Sequence, residues 1–327
     1  NKTLIDMSSN IVIRVDASRE IGYGHISRCM VLAEALESKF NITFVSKLMP
    51  ENLIQRIIFS GFNFIKIDNN HNLSIFEKAI VILDGYRFNS NYQKQIKLVA
   101  TRLICVDELR DIYYHADVVI NNQPCLSRKN FFCEEHTKIY TGINFSLLRK
   151  EFIAISNKQN KSKTIDGQKT FFVCFGGSDP YNFSKKIVEF LLKEIKLCNV
   201  NLVLGDGYDH ISDFKSNQVN IYKSLDAANL IRLIKKSDIA ILPASTIMLE
   251  AFCVGIPVIS GWYDDKQKKT LECLHEMGYI LNTGDYRVNF NNRMLHLLKT
   301  IDNTKLISFV EKQKNIDFNL SFLNEIF

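Results

Sequence analysis

IRVDASREIGYGHISRCMVLAEAL, residues 13–36, joins an apolar strand to a helix through a turn punctuated by Gly22 and Gly24, and sets His25 where the helix should begin. Strand, glycine turn and helix form the repeating unit of an open α/β sheet, whose ligands gather beyond the carboxyl ends of the strands. The stretch starts like a dinucleotide fingerprint, but Ser27 stands in place of its third glycine. The next strand, NITFVSKL, ends in Ser46 and Lys47 with no carboxylate to hold a ribose, so NAD binding fails both checks. What remains is a tight turn that lets backbone approach a ligand, with a histidine in the first turn of a helix. The positive end of a helix disfavours imidazolium, and neutral imidazole is the form that accepts a proton. A capping role is the other reading of His25, although Asp, Asn, Ser and Thr cap better. Asp16, closing the strand, is expected to orient the imidazole or contact substrate, or else only to form the turn.

Outward from this unit the pattern repeats. Strands read at NIVIRVDA, NITFVSK, FNFIKI, KAIVILDG, RLICVDE and ADVVINN, with helices over Ile26–Lys39, Glu51–Ser60 and Tyr92–Ala100. A polar stretch, ISNKQNKSKTIDGQK (155–169), reads as a linker. The alternation then restarts: TFFVCFGG, VNLVLGDG, NIYKSL, DIAILPAS and PVISGW as strands, with helices over Phe183–Lys193, Ala227–Ser237 and Thr246–Cys253. Short apolar strands separated by helices predict parallel sheets covered on both faces. The expected fold class is therefore α/β with two facing Rossmann-like domains and an interdomain cleft. The expected divisions are a first domain over 1–154, a linker over 155–169, a second domain over 170–302, and a helical segment over 303–327 free to pack back on the first domain.

Bulk properties agree and exclude other classes. At 327 residues the chain suits two domains of ordinary size. With 46% hydrophobic and 23% charged residues it has the balance of a folded, soluble protein. No run approaches the roughly 18–20 apolar residues of a membrane span. The start, NKTLIDMSSN, has no apolar signal-peptide core and no initiator Met, so a cytoplasmic chain with a trimmed or excised start is expected. The net charge of +6 is dispersed, whereas nucleic-acid binding calls for a basic face. Eight isolated cysteines without a CxxC, and histidines without ligand spacing, argue against a metal centre. No cofactor is expected.

The second half carries the anion-binding signals. FVCFGGSDPYNFS (172–184) puts Gly176, Gly177 and Ser178 after a buried strand, with a helix starting near Asn182, so backbone N–H groups can face a diphosphate. The GK[ST] ending of a Walker loop is absent. DIAILPASTIMLEAFCVGIPVIS (238–260) sets Ser245 and Thr246 at another helix start, where hydroxyls and free amides could hold phosphate. Glu250 lies one turn on and could accept from both ribose hydroxyls; helix capping is the competing reading of all three. In ILDGYRF, Asp84, Gly85 and Tyr86 occupy a further carboxyl strand end, with Tyr86 either facing the cleft or lying on a surface turn.

With these segments in place the chain resembles the UDP-2,4-diacetamido-2,4,6-trideoxy-β-L-altropyranose hydrolases of pseudaminic acid biosynthesis and the related spore-coat polysaccharide protein G group. The resemblance rests on RVDASREIGYGHISRCMVLA, LDGY, CVDE, ADVVINN, YTGINFSLLRKEF, CFGGSDPYN, ILPASTIMLEAFCVGIPVI and GYILN, in order over most of the chain. It implies the GT-B fold and a metal-independent enzyme that cleaves a UDP-sugar at the anomeric C–O bond with inversion. His25 would then be the general base for water, with Tyr86 lining the sugar pocket and Asp16 beside the base. Gly176, Gly177, Ser178, Ser245 and Thr246 would hold the diphosphate and Glu250 the ribose, while Gly22, Gly24 and Arg28 complete the substrate-binding set. After PVIS the family shows an Asn-Gln pair; this chain reads Lys266-Gln267, which touches the choice of sugar. The competing function is a GT-B glycosyltransferase for surface polysaccharide, with His25 deprotonating an acceptor hydroxyl. A non-catalytic nucleotide-sugar binder would leave the IGYGH turn unexplained.

Overall fold

The computed structural model describes residues 10–106, 111–156, 167–210, 214 and 216–327, with the side chain of Lys266 outside the description. The chain forms two α/β units: one runs to Leu147 and includes Leu320–Phe327, and the other is Leu148–Asn319.

The first unit contains β1 (Asn10–Val15), α1 (Gly24–Leu36), β2 (Asn41–Ser46), α2 (Glu51–Phe59), β3 (Asn63–Lys66), β4 (Ile80–Asp84), α3 (Ser90–Lys97), β5 (Arg102–Val106), β6 (Val118–Asn121) and β7 (Lys138–Thr141). They make a seven-stranded parallel sheet in the order β3-β2-β1-β4-β5-β6-β7. Successive residues of a strand face opposite sides, so Ile11, Ile13 and Val15 enter the core under α1 and α2, and Val12 enters the core on the other side with Val81 and Leu83. Burial on both faces is why these strands read as nearly continuous apolar runs. β7, KIYT, has one exposed and three half-buried side chains at the sheet edge and no apolar run to announce it.

The second unit opens with α4 (Lys150–Ser156) and continues through β8 (Lys169–Cys174), α5 (Phe183–Glu194), β9 (Cys198–Leu204), β10 (Val219–Lys223), α6 (Ala227–Lys235), β11 (Ile239–Pro243), α7 (Thr246–Val254), β12 (Val258–Trp262), α8 (Asp265–Glu276), β13 (Leu281–Asp285), α9 (Phe290–Thr300) and α10 (Asn303–Lys314). Its parallel sheet runs β10-β9-β8-β11-β12-β13. β13, LNTGD, has poor strand formers at Asn282, Gly284 and Asp285 and is held by its pairing with β12 and by the buried Leu281 and Thr283.

The division of the chain differs from the expected one at both ends. α4 packs on α7, and Arg149 just before it is bound to Glu250 of α7, so the second unit begins at Leu148. Most of the expected linker, 157–166, lies outside the described residues. The segment 303–327 is split. α10 stays with the second unit, where Leu306 and Phe309 join the core and the Gln313 side-chain amide donates to the Tyr279 carbonyl at 2.8 Å. Only the end returns to the first unit, in α11 (Leu323–Ile326), with Phe322, Leu323 and Ile326 buried in the core under α1.

Candidate functional site

In the first unit the strand order decides which side chains meet. β1 pairs with β4, with Val15 opposite Asp84, so Asp84 ends its strand beside the start of the β1–α1 turn. That turn closes on itself through an antiparallel bridge between Ser18 and Gly22, and Gly22 adopts a φ of +87°, which favours glycine. α1 then begins at Gly24 with no side-chain cap and no acidic residue in its first turn. His25 is therefore buried at the helix start with its Nδ1 2.6 Å from Asp84 Oδ1.

Asp84 is completely buried, and a buried carboxylate must be paired to stay charged. Arg28, one helical turn beyond His25, donates from Nε to Oδ2 at 2.5 Å and from Nη2 to Oδ1 at 2.6 Å. Burial opposes ionisation of Asp84, but the Arg28 guanidinium and His25 hold its carboxyl down to about 2. An ionised Asp84 accepts only, so Nδ1 of His25 carries the proton and donates to it; the tautomer is assigned from these partners. Nε2 then presents a lone pair, and it has no hydrogen-bond partner among the described residues. The ring of Tyr86, 42% exposed, stands edge-on to the imidazole with centroids 4.5 Å apart. A histidine oriented by a buried carboxylate can take a proton at Nε2 while its new charge meets a negative partner.

One expectation for this region is corrected. Asp16 does not touch His25: Arg14 grips it with two bonds of 2.7 and 2.9 Å, and Ser46 Oγ and the amides of Lys47 and Leu48 fill its remaining sites. Burial raises its pKa, but Arg14 and those amides outweigh it and hold Asp16 below the usual range. Arg28, expected among the substrate-binding residues, is engaged with Asp84 through Nε and Nη2 and braces the carboxylate behind the histidine. Gly22 and Gly24 shape the turn, and a methyl group at Gly24 would meet open space.

In the second unit the two expected helix starts differ. At α5 the Asp179 carboxylate accepts from the amides of Phe183 and Ser184 at 2.9 and 2.8 Å. The first amides of α5 are thus taken by a negative charge. The preceding glycines serve packing: the Gly177 carbonyl accepts from Gly207 at 2.9 Å, and a Cβ on Gly205 would lie 2.4 Å from that same oxygen. Ser178 is buried beside them. At α7, by contrast, Ser245 makes no side-chain cap and the first turn has no acidic residue. Ala244, Ser245 and Thr246 are half-buried, and the strand beneath is flanked by β8 and β12. This uncapped start can still receive an anion.

Glu250, expected to be available to a ribose, is buried and bound on both oxygens by Arg149 at 2.7 Å. Burial opposes the Arg149 charge, but Glu250 raises its pKa above the usual value. Its guanidinium also lies 4.9 Å from the Phe152 ring. Gln267 accepts from the Tyr263 amide at 3.2 Å. The side chain of Lys266 is outside the described residues. Among the described residues no cluster of three His, Cys, Asp or Glu side chains forms a metal-binding group, and no helix is long and apolar enough to cross a membrane.

No protein-family model matches the chain. It is 29% identical over 324 residues to an uncharacterized protein of Methanocaldococcus jannaschii, covering 90% of this chain and 66% of that one, so it spans just under two thirds of that relative's length. It is 25% identical over 280 residues to the UDP-2,4-diacetamido-2,4,6-trideoxy-beta-L-altropyranose hydrolase of Campylobacter jejuni, covering 82% of this chain and 97% of that one. With the spore coat polysaccharide biosynthesis protein SpsG of Bacillus subtilis the identity is 24% over 288 residues, covering 84% of each. Among solved structures it is similar to MurG of Acinetobacter baumannii, with a TM-score of 0.65 and 11% identity over 97% of this chain and 98% of that one. The spinosyn forosaminyltransferase SpnP gives a TM-score of 0.60 at 11% identity, with the same coverage. At such identities the likeness speaks for the fold alone, and it joins the two parallel-sheet units in giving two Rossmann-like domains of the GT-B type.

Proposed function

Because the chain belongs to the family that holds the Campylobacter hydrolase and is related to SpsG, we propose that it is an enzyme of polysaccharide biosynthesis that hydrolyses a UDP-linked deoxy-amino sugar. The observation that carries this reading is the buried contact of 2.6 Å between His25 Nδ1 and Asp84, which leaves Nε2 as the proton acceptor. Water gives its proton to Nε2 as its oxygen bonds to the anomeric carbon. The bond from that carbon to the β-phosphate oxygen breaks, and its electron pair leaves with UDP. The sugar inverts at the anomeric carbon, and Asp84 faces the imidazolium as it forms. The developing charge on UDP is met by the uncapped start of α7 at Ser245 and Thr246. Ribose binds near Glu250, Tyr86 borders the sugar, and the product enters a pseudaminic-acid-type pathway.

The test uses the purified chain, UDP-2,4-diacetamido-2,4,6-trideoxy-β-L-altropyranose and ¹⁸O water, without an acceptor. Release of UDP with the label on the sugar is expected. Label on phosphate would mean P–O attack and overturn the role given to His25. Turnover only after an acceptor sugar is added would make the chain a glycosyltransferase.

A further inference from the structure

The loop FGGSDPYNF (175–183) holds a tyrosine in place with unusual effort. Asp179 and Asn182 adopt left-handed φ values of +40° and +53°, which cost non-glycine residues about 1 kcal/mol each. The surroundings enforce this shape. Asp179 gives its carboxylate to α5, its carbonyl lies 3.0 Å from His210 Nε2, and Tyr208 donates to the Asn182 side chain at 2.8 Å. Between the two strained residues Tyr181 is 53% exposed. A surface tyrosine with no task needs no such bracing.

The ring is also supported from behind. Its centroid is 5.7 Å from that of Phe183 and 5.7 Å from that of Tyr263, and Phe183 stacks on Tyr263 at 5.6 Å and 27°. Tyr181 and Phe183 follow β8, while Tyr263 follows β12, and these strands flank β11 on opposite sides. The aromatic group therefore spans the carboxyl end of β11, the strand that leads into the uncapped start of α7. A diphosphate held at that start would have the tyrosine face beside it.

We propose that Tyr181 is a specificity-determining residue whose ring packs against the apolar face of the sugar; this rests on the UDP-sugar reading above. The polar groups around the ring are already engaged: the Asp179 carboxylate and carbonyl, the Asn182 side chain, and the Tyr263 amide on Gln267. With these neighbouring donors and acceptors engaged, the ring face of Tyr181 is left to meet C–H and methyl groups, which a deoxy, N-acylated sugar offers. A uracil needs groups that match its imide edge.

The experiment compares the unmodified chain with Tyr181→Ala and Tyr181→Phe, measuring binding of UDP and of UDP-2,4-diacetamido-2,4,6-trideoxy-β-L-altropyranose by competition. Tyr181→Ala is expected to weaken the UDP-sugar roughly five- to tenfold and leave UDP within about twofold, with Tyr181→Phe restoring both. Equal weakening of the two ligands would place the ring on the nucleoside and overturn the proposal, as would no change in either. An unmodified chain that hydrolyses no UDP-sugar, yet binds it with this dependence on Tyr181, would sink the hydrolase reading and leave the inference standing.

Discussion

Each unit contains an arginine that grips a buried carboxylate with two bonds, Arg28 on Asp84 and Arg149 on Glu250. The two pairs differ in what else touches the carboxylate. Asp84 is sealed from solvent and shares one oxygen with His25, so the pair supports a reactive group. Among the described residues no histidine is hydrogen-bonded to Glu250, and the Arg149 side chain is 29% exposed. The same salt bridge therefore has two settings: at Asp84 it stands behind a histidine and fixes its tautomer, and at Glu250 it fixes the orientation of a carboxylate on α7. Desolvation makes either pair a poor source of net stability, and the loss of one partner is what costs most.

The largest effects belong to the Asp84 pair. Asp84→Asn breaks the buried pair with Arg28, at about 3–5 kcal/mol of stability, and it releases the His25 tautomer, which lowers turnover by up to about 10⁴-fold. His25→Ala leaves Arg28 and Asp84 joined, so it should lose about 10²- to 10⁴-fold in turnover while keeping the unfolding midpoint and the affinity for UDP. Urea unfolding and UDP-release assays on the two variants separate these outcomes. An active His25→Ala would remove the histidine from the mechanism.

Why Asp84 was harder to find than His25 is a matter of topology. The strand, the glycine turn and His25 lie in one continuous stretch, and the alternation of apolar runs with helical spacing marks both sheets. Asp16 is the nearer carboxylate in sequence and the natural partner to expect. The true partner is 59 residues from His25, and only the pairing of β1 with β4 brings it there, a fact that local periodicity does not contain. Arg149 was hidden for the same reason, since α4 reads as the end of the first half until its packing on α7 is known. β7 and β13 carry weak strand signals because they are short and rich in polar residues, and pairing with a neighbouring strand completes them. At the start of α5 the glycines resemble an anion loop, and the carboxylate that takes the first helix amides lies one residue beyond the Gly176–Ser178 segment.

The Glu250 pair should give a smaller and different loss. Because Arg149 is partly solvated, Arg149→Ala is expected to cost about 2 kcal/mol, below the range for a fully buried pair. Glu250 would lose its fixed orientation, so KM should rise roughly tenfold while kcat stays within about threefold, the mark of an interaction made equally in ground and transition states. Arg149→Lys keeps the charge without the fork and should recover only part of the affinity. Steady-state kinetics on both variants decide the matter. A fall in kcat at constant KM would mean that the two pairs do the same job, and the contrast between them would fail.

Acid reads the Asp84 pair most finely. Its folded pKa is depressed to about 2, whereas an unfolded aspartate titrates near about 3.9. A depressed carboxylate contributes its stability in full above the unfolded value and loses it as pH falls through the folded one. The difference in unfolding free energy between the unmodified chain and Asp84→Asn should therefore be flat above about pH 5 and shrink by about 2 kcal/mol between about pH 4 and pH 2. Urea titrations across that range measure it directly, and subtracting the variant cancels the other carboxylates that titrate alongside. A difference that instead grows as pH falls from about 7 to 4 would mean that Asp84 is not ionised in the fold, and His25 would then lack the negative partner on which its role as a base depends.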